Sequence, residues 1–206
     1  MDKAWKHVFD KLAKSDELHK IGCWNEEDFE DLTKQTDTIL ERFLECQDCL
    51  DVGCGPGYYC DLLHKKGITP LGVDYSKEMI EKAKELYPNL DFKVDDAYDL
   101  SFDDDSFDLV LSIGLLQCVY DHETAIHEMS RVAKEAMIIS TLYRDEEYND
   151  PMKKLHEKLQ YDAWPTRTYH PNELIPILRE YGWDVEKVVT KDTGEKINGG
   201  FFLICT

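Results

Sequence analysis

The chain has 206 residues, 42% hydrophobic and 33% charged, enough for one sizeable core and, by length, one domain. No apolar run approaches the ~20 residues of a membrane span, and no apolar stretch follows the first seven residues, so no secretory signal is expected. The seven scattered cysteines then read as reduced thiols in a cytoplasmic protein. A net charge of −19 opposes the phosphate neutralisation that non-specific nucleic-acid binding needs, and its field favours cations.

Trp5, Val8, Phe9 and Leu12 recur at helical spacing and predict an amphipathic helix. Gly22 interrupts. Asn25 can cap a second helix carrying Phe29, Leu32, Ile39, Leu40, Phe43 and Leu44. Two readings of residues 1–45 stay open: helices packed on the sheet edge, or helices that also close over an active site as a lid. Trp24, in the joint between them, is a candidate ligand contact. Cys46-x-x-Cys49 lacks the second ligand pair a zinc site needs, so no metal is expected there.

An apolar run (Cys49, Leu50, Val52) then enters three glycines at alternate positions, Gly53, Gly55 and Gly57, with a helical stripe (Tyr59, Leu62, Leu63) directly after. This is the signature of a buried strand, a tight turn and a helix N-terminus. Glycine lets a ligand approach bare backbone, and the helix start offers unpaired N–H groups to an anion. Dinucleotide sites favour G-x-G-x-x-G. Here the spacing is G-x-G-x-G, with Asp51 two residues ahead.

Pro70-Leu-Gly-Val-Asp74 reads as a second buried strand ending in an acid, followed by an N-capping Ser76 and a helix face of Met79, Ile80, Ala83 and Tyr87. A carboxylate at such a strand end can accept from both ribose hydroxyls. Residues 90–94 alternate as a third strand nearer the edge, and the acid-rich run from Asp95 to Asp105 is mostly solvated loop. Residues 106–112 are nearly all apolar and predict a central fourth strand. Asp121 can cap the helix carrying Ile126, Met129 and Val132, and residues 136–140 form a fifth strand. Residues 142–170, rich in Tyr and Trp, exceed an ordinary connection and are a candidate substrate-side insertion. A helix at 174–181 and two strands, 183–189 and 200–205, close the chain. With no helix between them, these two strands should pair antiparallel.

The glycine turn, Asp74-Tyr75, Asp96-Ala97 and Phe107-Asp-Leu-Val110, in that order, resemble the motifs of the class I S-adenosylmethionine (SAM) methyltransferases, in particular the type 11 group. The resemblance implies an α/β fold: a doubly wound, mostly parallel seven-stranded sheet with an antiparallel last strand, helices on both faces and an N-terminal helical lid. It implies SAM as cofactor, held by Asp51, Gly53, Cys54, Gly55, Gly57, Asp74, Tyr75, Ser76, Asp96, Ala97, Ser112, Ile113 and Gly114. Within that set Asp74 serves the ribose, Tyr75 the adenine, and Asp96 with the Ala97 N–H the adenine edge. Ser112 to Gln117 form the loop beside the sulfonium.

The sulfonium methyl is already activated, so the expected reaction is an in-line displacement needing position and a dry pocket more than a strong catalytic group. If the acceptor must lose a proton, His122 is the candidate base, and Tyr58 can line the methyl-transfer end. Tyr143 and Trp164 join Trp24 as candidate substrate contacts. No Asn-Pro-Pro-Tyr motif stands at Ser112-Ile-Gly-Leu115, and the charge is acidic. Both favour a small-molecule acceptor on a monomer or homodimer. A tRNA or protein acceptor, a non-catalytic SAM-binding partner subunit, and an NAD enzyme are the alternatives.

Overall fold

The computed structural model describes residues 3–15, 17, 26–142, 167–189 and 200–206. Seven strands form one sheet: β1 (Asp48–Val52), β2 (Thr69–Asp74), β3 (Asp91–Val94), β4 (Phe107–Ile113), β5 (Ala133–Leu142), β6 (Val185–Val189) and β7 (Gly200–Cys205). Their spatial order is β3-β2-β1-β4-β5-β7-β6. β1 to β5 pair parallel, and β7 runs antiparallel to both β5 and β6. The strand order reverses between β1 and β4. At such a point the two flanking connections leave on opposite faces and open a crevice at the strands' carboxyl ends.

Six helices accompany the sheet among the described residues: α1 (Lys3–Leu12), α2 (Glu26–Leu40), α3 (Tyr58–Lys65), α4 (Lys77–Leu86), α5 (His122–Val132) and α6 (Pro171–Glu180). Alternate side chains of each central strand enter opposite layers. Leu109, Leu111 and Ile138 join Leu32, Ile39 and Leu63 on the α2/α3 face. Val110, Met137 and Ile139 join Ile126, Met129, Leu174 and Leu178 on the α5/α6 face. β4 is central, as its continuous apolar run requires, and β3 and β6 are the two edge strands.

Several boundaries differ from the periodicity. α2 stops at Leu40 and tightens into a 3-10 turn over Glu41–Phe43, which turns Leu44 outward at 46% exposure. α6 includes Pro176. Its start is fixed instead by His170, whose ring accepts from the Asn172 N–H, and by Glu173, whose carboxylate accepts from the His170 N–H. This is a capping box closed by a histidine. Trp183 ends the α6 turn, its N–H donating to Leu178, and β6 begins two residues later.

The acidic loop after β3 is held by α5. The Arg131 guanidinium chelates Glu128 at 2.7 and 3.0 Å, and reaches the carbonyls of Leu100 and Phe102 and the Asp104 carboxylate. Glu128 in turn accepts from the Leu100 N–H at 2.9 Å. Arg131→Ala removes these bonds and leaves Glu128 buried without its cation. It is expected to lower stability by about 2–3 kcal/mol, read as a fall in the urea midpoint with unchanged slope. A loss below about 0.5 kcal/mol would mean that the loop is held by other contacts.

Candidate cofactor and active site

The three glycines have three different tasks. All lie at positive φ, +79°, +51° and +86° for Gly53, Gly55 and Gly57. A Cβ on Gly53 would stand 2.9 Å from Leu115 Cδ1, and one on Gly57 would stand 2.7 Å from Phe92 Cζ. These two glycines let the turn pack against the β4 loop and against β3. A Cβ on Gly55 would meet nothing within 4 Å, so Gly55 is where the backbone is bare toward open space. Gly57 is the N-cap of α3 and supplies no side-chain cap, which leaves the first N–H groups of that helix for a ligand.

Asp74 gathers the other pieces. Its Oδ2 accepts from the Gly55 N–H at 3.0 Å and its Oδ1 from the Ser76 N–H at 2.8 Å. Ser76 caps α4 by accepting from the Met79 N–H. The Asp95 N–H donates to the Asp74 carbonyl at 3.1 Å, bringing the β3 end alongside. The Gly53 and Cys54 N–H groups both donate to the Val73 carbonyl. On the other side of β1, the Ser112 hydroxyl donates to the Val52 carbonyl at 3.2 Å, and Gly114, at φ +74°, donates to the Ser140 carbonyl. Asp51, Gly53, Cys54, Gly55, Gly57, Asp74, Tyr75, Ser76, Asp96, Ala97, Ser112, Ile113 and Gly114 thus all lie along the carboxyl edge of adjacent strands. Asp95 accepts from the Asp96 N–H and from Ser101, and Asp96 accepts from the Tyr98 N–H, a tight turn that presents Ala97.

Other candidates are placed differently. Asp108 of the Phe107-Asp-Leu-Val110 motif sits at the opposite, amino edge. There it accepts from the Gln47 N–H at 2.9 Å and from Lys134 at 3.0 Å, so it locks strand starts together. The backbone bond from Gln47, then Lys134, holds its carboxyl below the usual range. Tyr58 opens α3 with its ring edge-on to Phe29 of α2, centroids 5.0 Å apart. His122 opens α5 with its ring 5.3 Å from that of Tyr169. Burial, then the Arg167 cation, lowers its pKa and keeps the imidazole neutral near pH 7. His127 is half-exposed against Tyr181. Cys46 and Cys49 are buried free thiols in the α2/α3 layer. Trp24, Asn25, Tyr143 and Trp164 lie outside the described residues.

Three positions carry structure that spacing did not reveal. The Tyr98 hydroxyl accepts from the N–H groups of Tyr120 and Asp121, tying the turn over residues 96–99 to the start of α5. Tyr169 is fully buried, and its hydroxyl donates to the Leu116 carbonyl at 3.0 Å. Gln117, 8% exposed in the β4 loop, keeps an amide oxygen with no partner among the described residues. Gln117 alone carries a sequence signal, a polar side chain within the apolar run 115–119.

Two of the buried carboxyls, Asp51 and Asp74, are raised well above the ordinary aspartate range. Burial pushes Asp51 up to about 7, against the pull of the Cys60 thiol that donates to it at 3.4 Å. Burial pushes Asp74 up to about 6, against its two backbone donors.

Comparison with known proteins fits this geometry. Residues 50–139, from β1 to β5, match the methyltransferase domain family. This segment belongs to that family. The chain is 31% identical over 157 residues to a methyltransferase-like protein, 235L, of Invertebrate iridescent virus 6, covering 69% of this chain and 58% of the viral one. Its matches span 58%, 38% and 53% of three curated relatives, about half of their length. Among solved structures, a chain of the Haloferax volcanii complex containing the Trm112 methyltransferase activator superposes with a TM-score of 0.69, at 21% identity and 96% coverage of both chains. The magnesium protoporphyrin IX methyltransferase of Synechocystis, with bound S-adenosylhomocysteine (SAH), gives a TM-score of 0.69 at 16% identity, covering 98% of this chain and 94% of that one. At these identities the likeness is one of fold: the class I methyltransferase sheet, with its antiparallel last strand. Among the described residues, no helix is long and apolar enough to cross a membrane.

The raised carboxyls give a pH signature. An unfolded aspartate titrates near 3.9, so the fold binds these two protons more tightly. Their contribution to stability is full below pH ~4 and is lost as pH rises through 6 and 7. In thermal melts of the unliganded chain between pH 5 and 8, Asp51→Asn should remove part of the fall in Tm that wild type shows. Parallel curves for the two proteins would mean that Asp51 ionises at an ordinary pH.

Proposed function

We propose that the chain is a SAM-dependent methyltransferase that transfers a methyl group to a small-molecule acceptor. The observation that carries the cofactor reading is the Asp74 carboxylate facing the bare backbone of Gly55. A carboxylate offers about four acceptor positions, and the Gly55 and Ser76 N–H groups use two of them. One on each oxygen remains for a pair of vicinal hydroxyls. The α3 N-terminus suits the carboxylate of an amino-acid tail. Asp96, the Ala97 N–H and Tyr75 stand on the next lip of the crevice, where the purine would lie. Such donors, acceptors and open glycine fit an adenosyl group bearing an amino acid.

SAM, when bound, supplies a methyl group on a sulfonium, ready for in-line displacement by a lone pair. The chain's own work is then to bind, align and exclude water. Ser112, Ile113 and Gly114 end β4 at the methyl side. The unpaired Gln117 amide oxygen offers a bond to an acceptor N–H or O–H, and neutral His122 can receive a proton. The whole chain is read as one methyltransferase domain, with residues 142–170 as its substrate-side insertion. The net charge of −19 supports a small or cationic acceptor over a nucleic acid. A second reading, a methyltransferase that needs a partner subunit, draws support from the Trm112-complexed neighbour and from the edge strand β3, where Val94 is 45% exposed. A monodisperse, SAM-binding chain in isolation would argue against it.

Calorimetric titration with SAM and SAH tests the cofactor. Micromolar binding of both and none of NADH is expected, and Asp74→Ala should weaken SAM by ~1–3 kcal/mol. NADH binding without SAM binding would overturn the reading.

A further inference from the structure

Helix α1 packs against two elements at the carboxyl edge. Val8, midway along it, packs against Cys118, in the turn after β4. Ala13, just past its end, packs against Met79, in the first turn of α4 after β2. Phe9 and Leu12 border both clusters. β1, whose carboxyl end is the Gly53–Gly57 turn, lies between β2 and β4. The contacts of α1 therefore reach both lips of the crevice, one on each side of the strand that ends in the glycine turn.

Between the two apolar anchors stands a polar contact. The Ser76 hydroxyl donates to Asp10 Oδ1 at 2.8 Å. Ser76 is also the residue whose N–H donates to Asp74 Oδ1. A continuous path of hydrogen bonds thus runs from Asp10 through Ser76 and Asp74 to Gly55. Moving α1 away breaks its first link.

We infer that α1 is a strap closing the cofactor site and that Asp10 is its latch, a positioning residue that acts through Ser76 to set how fast cofactor enters and leaves. The inference rests on the proposed cofactor reading. It makes Asp10 a determinant of exchange and leaves the ligand-bearing groups, Asp74 and the glycine backbone, intact. Apolar contacts of Val8, Phe9, Leu12 and Ala13 seat the helix, and the hydrogen bond to the Asp10 carboxylate adds a directional tie to Ser76. Strap opening then belongs to the low-energy local openings that gate ligand exchange.

The test compares wild type, Asp10→Ala and Asp10→Asn in the full chain. Tritiated SAM is bound, then chased with excess SAH, and hydrogen exchange of the α1 amides is followed without ligand. Asp10→Ala is expected to release SAM about tenfold faster or more and to speed exchange in α1, with the global Tm little changed. Asp10→Asn keeps an acceptor for the Ser76 hydroxyl and should stay within about threefold of wild type. Wild-type release rates in Asp10→Ala would overturn the latch while leaving the cofactor site standing. If wild type holds no SAM, the cofactor reading itself falls. The hydrogen-exchange arm still decides the docking, since unchanged α1 protection in Asp10→Ala would overturn it.

Discussion

One carboxylate organises this site. Asp74 sits at the end of β2, buried, with each oxygen engaged by a backbone N–H from a different segment. Those two bonds fix the glycine turn relative to the start of α4. The Asp74 carbonyl, accepting from Asp95, fixes the β3 end to the same point. Burial makes the charge costly. The backbone donors offset only part of that cost, which is why the group holds its proton up to about pH 6. A site arranged in this way lacks donors. Ligand hydroxyls would supply them.

The sheet separates two kinds of chemistry at its two edges. At the amino edge, Asp48 and Asp108 accept from backbone N–H groups of neighbouring strands, and Lys134 neutralises Asp108. These donors hold the Asp108 carboxyl below the usual range. At the carboxyl edge, Asp51 and Asp74 are buried and raised to about 7 and about 6. The same residue type thus ties strand starts together at one end and holds its proton more tightly at the other. Burial and donor count decide which.

Much of this was legible in the sequence, for physical reasons. Short continuous apolar runs marked the central strands, because each must feed an apolar layer on both faces. The spacing of Gly53, Gly55 and Gly57 set the turn, and Ser76 and Asp121 announced their helices as caps that the structure retains. What escaped depends on contacts between distant segments. Spacing could not tell that only Gly55 faces open space, because the space at Gly53 and Gly57 is taken by Leu115 and Phe92. Asp10 and Ser76 are 66 positions apart, and neither helix pattern marks their meeting. Asp108 lay within a recognisable motif, yet its place on β4 puts it at the other end from the crevice. Leu44 fitted a helical stripe that the 3-10 turn ended before it could be buried.

The central claim is that the carboxyl edge at the β1/β4 reversal is the cofactor site. Amide NMR of the labelled chain titrated with SAH tests it directly. The account predicts shifts at Gly53, Gly55, Tyr75, Ser76 and Ala97, with Gln47, Asp108 and Lys134 at the amino edge unmoved. Shifts confined to the amino edge, or spread evenly without the glycine turn, would contradict it.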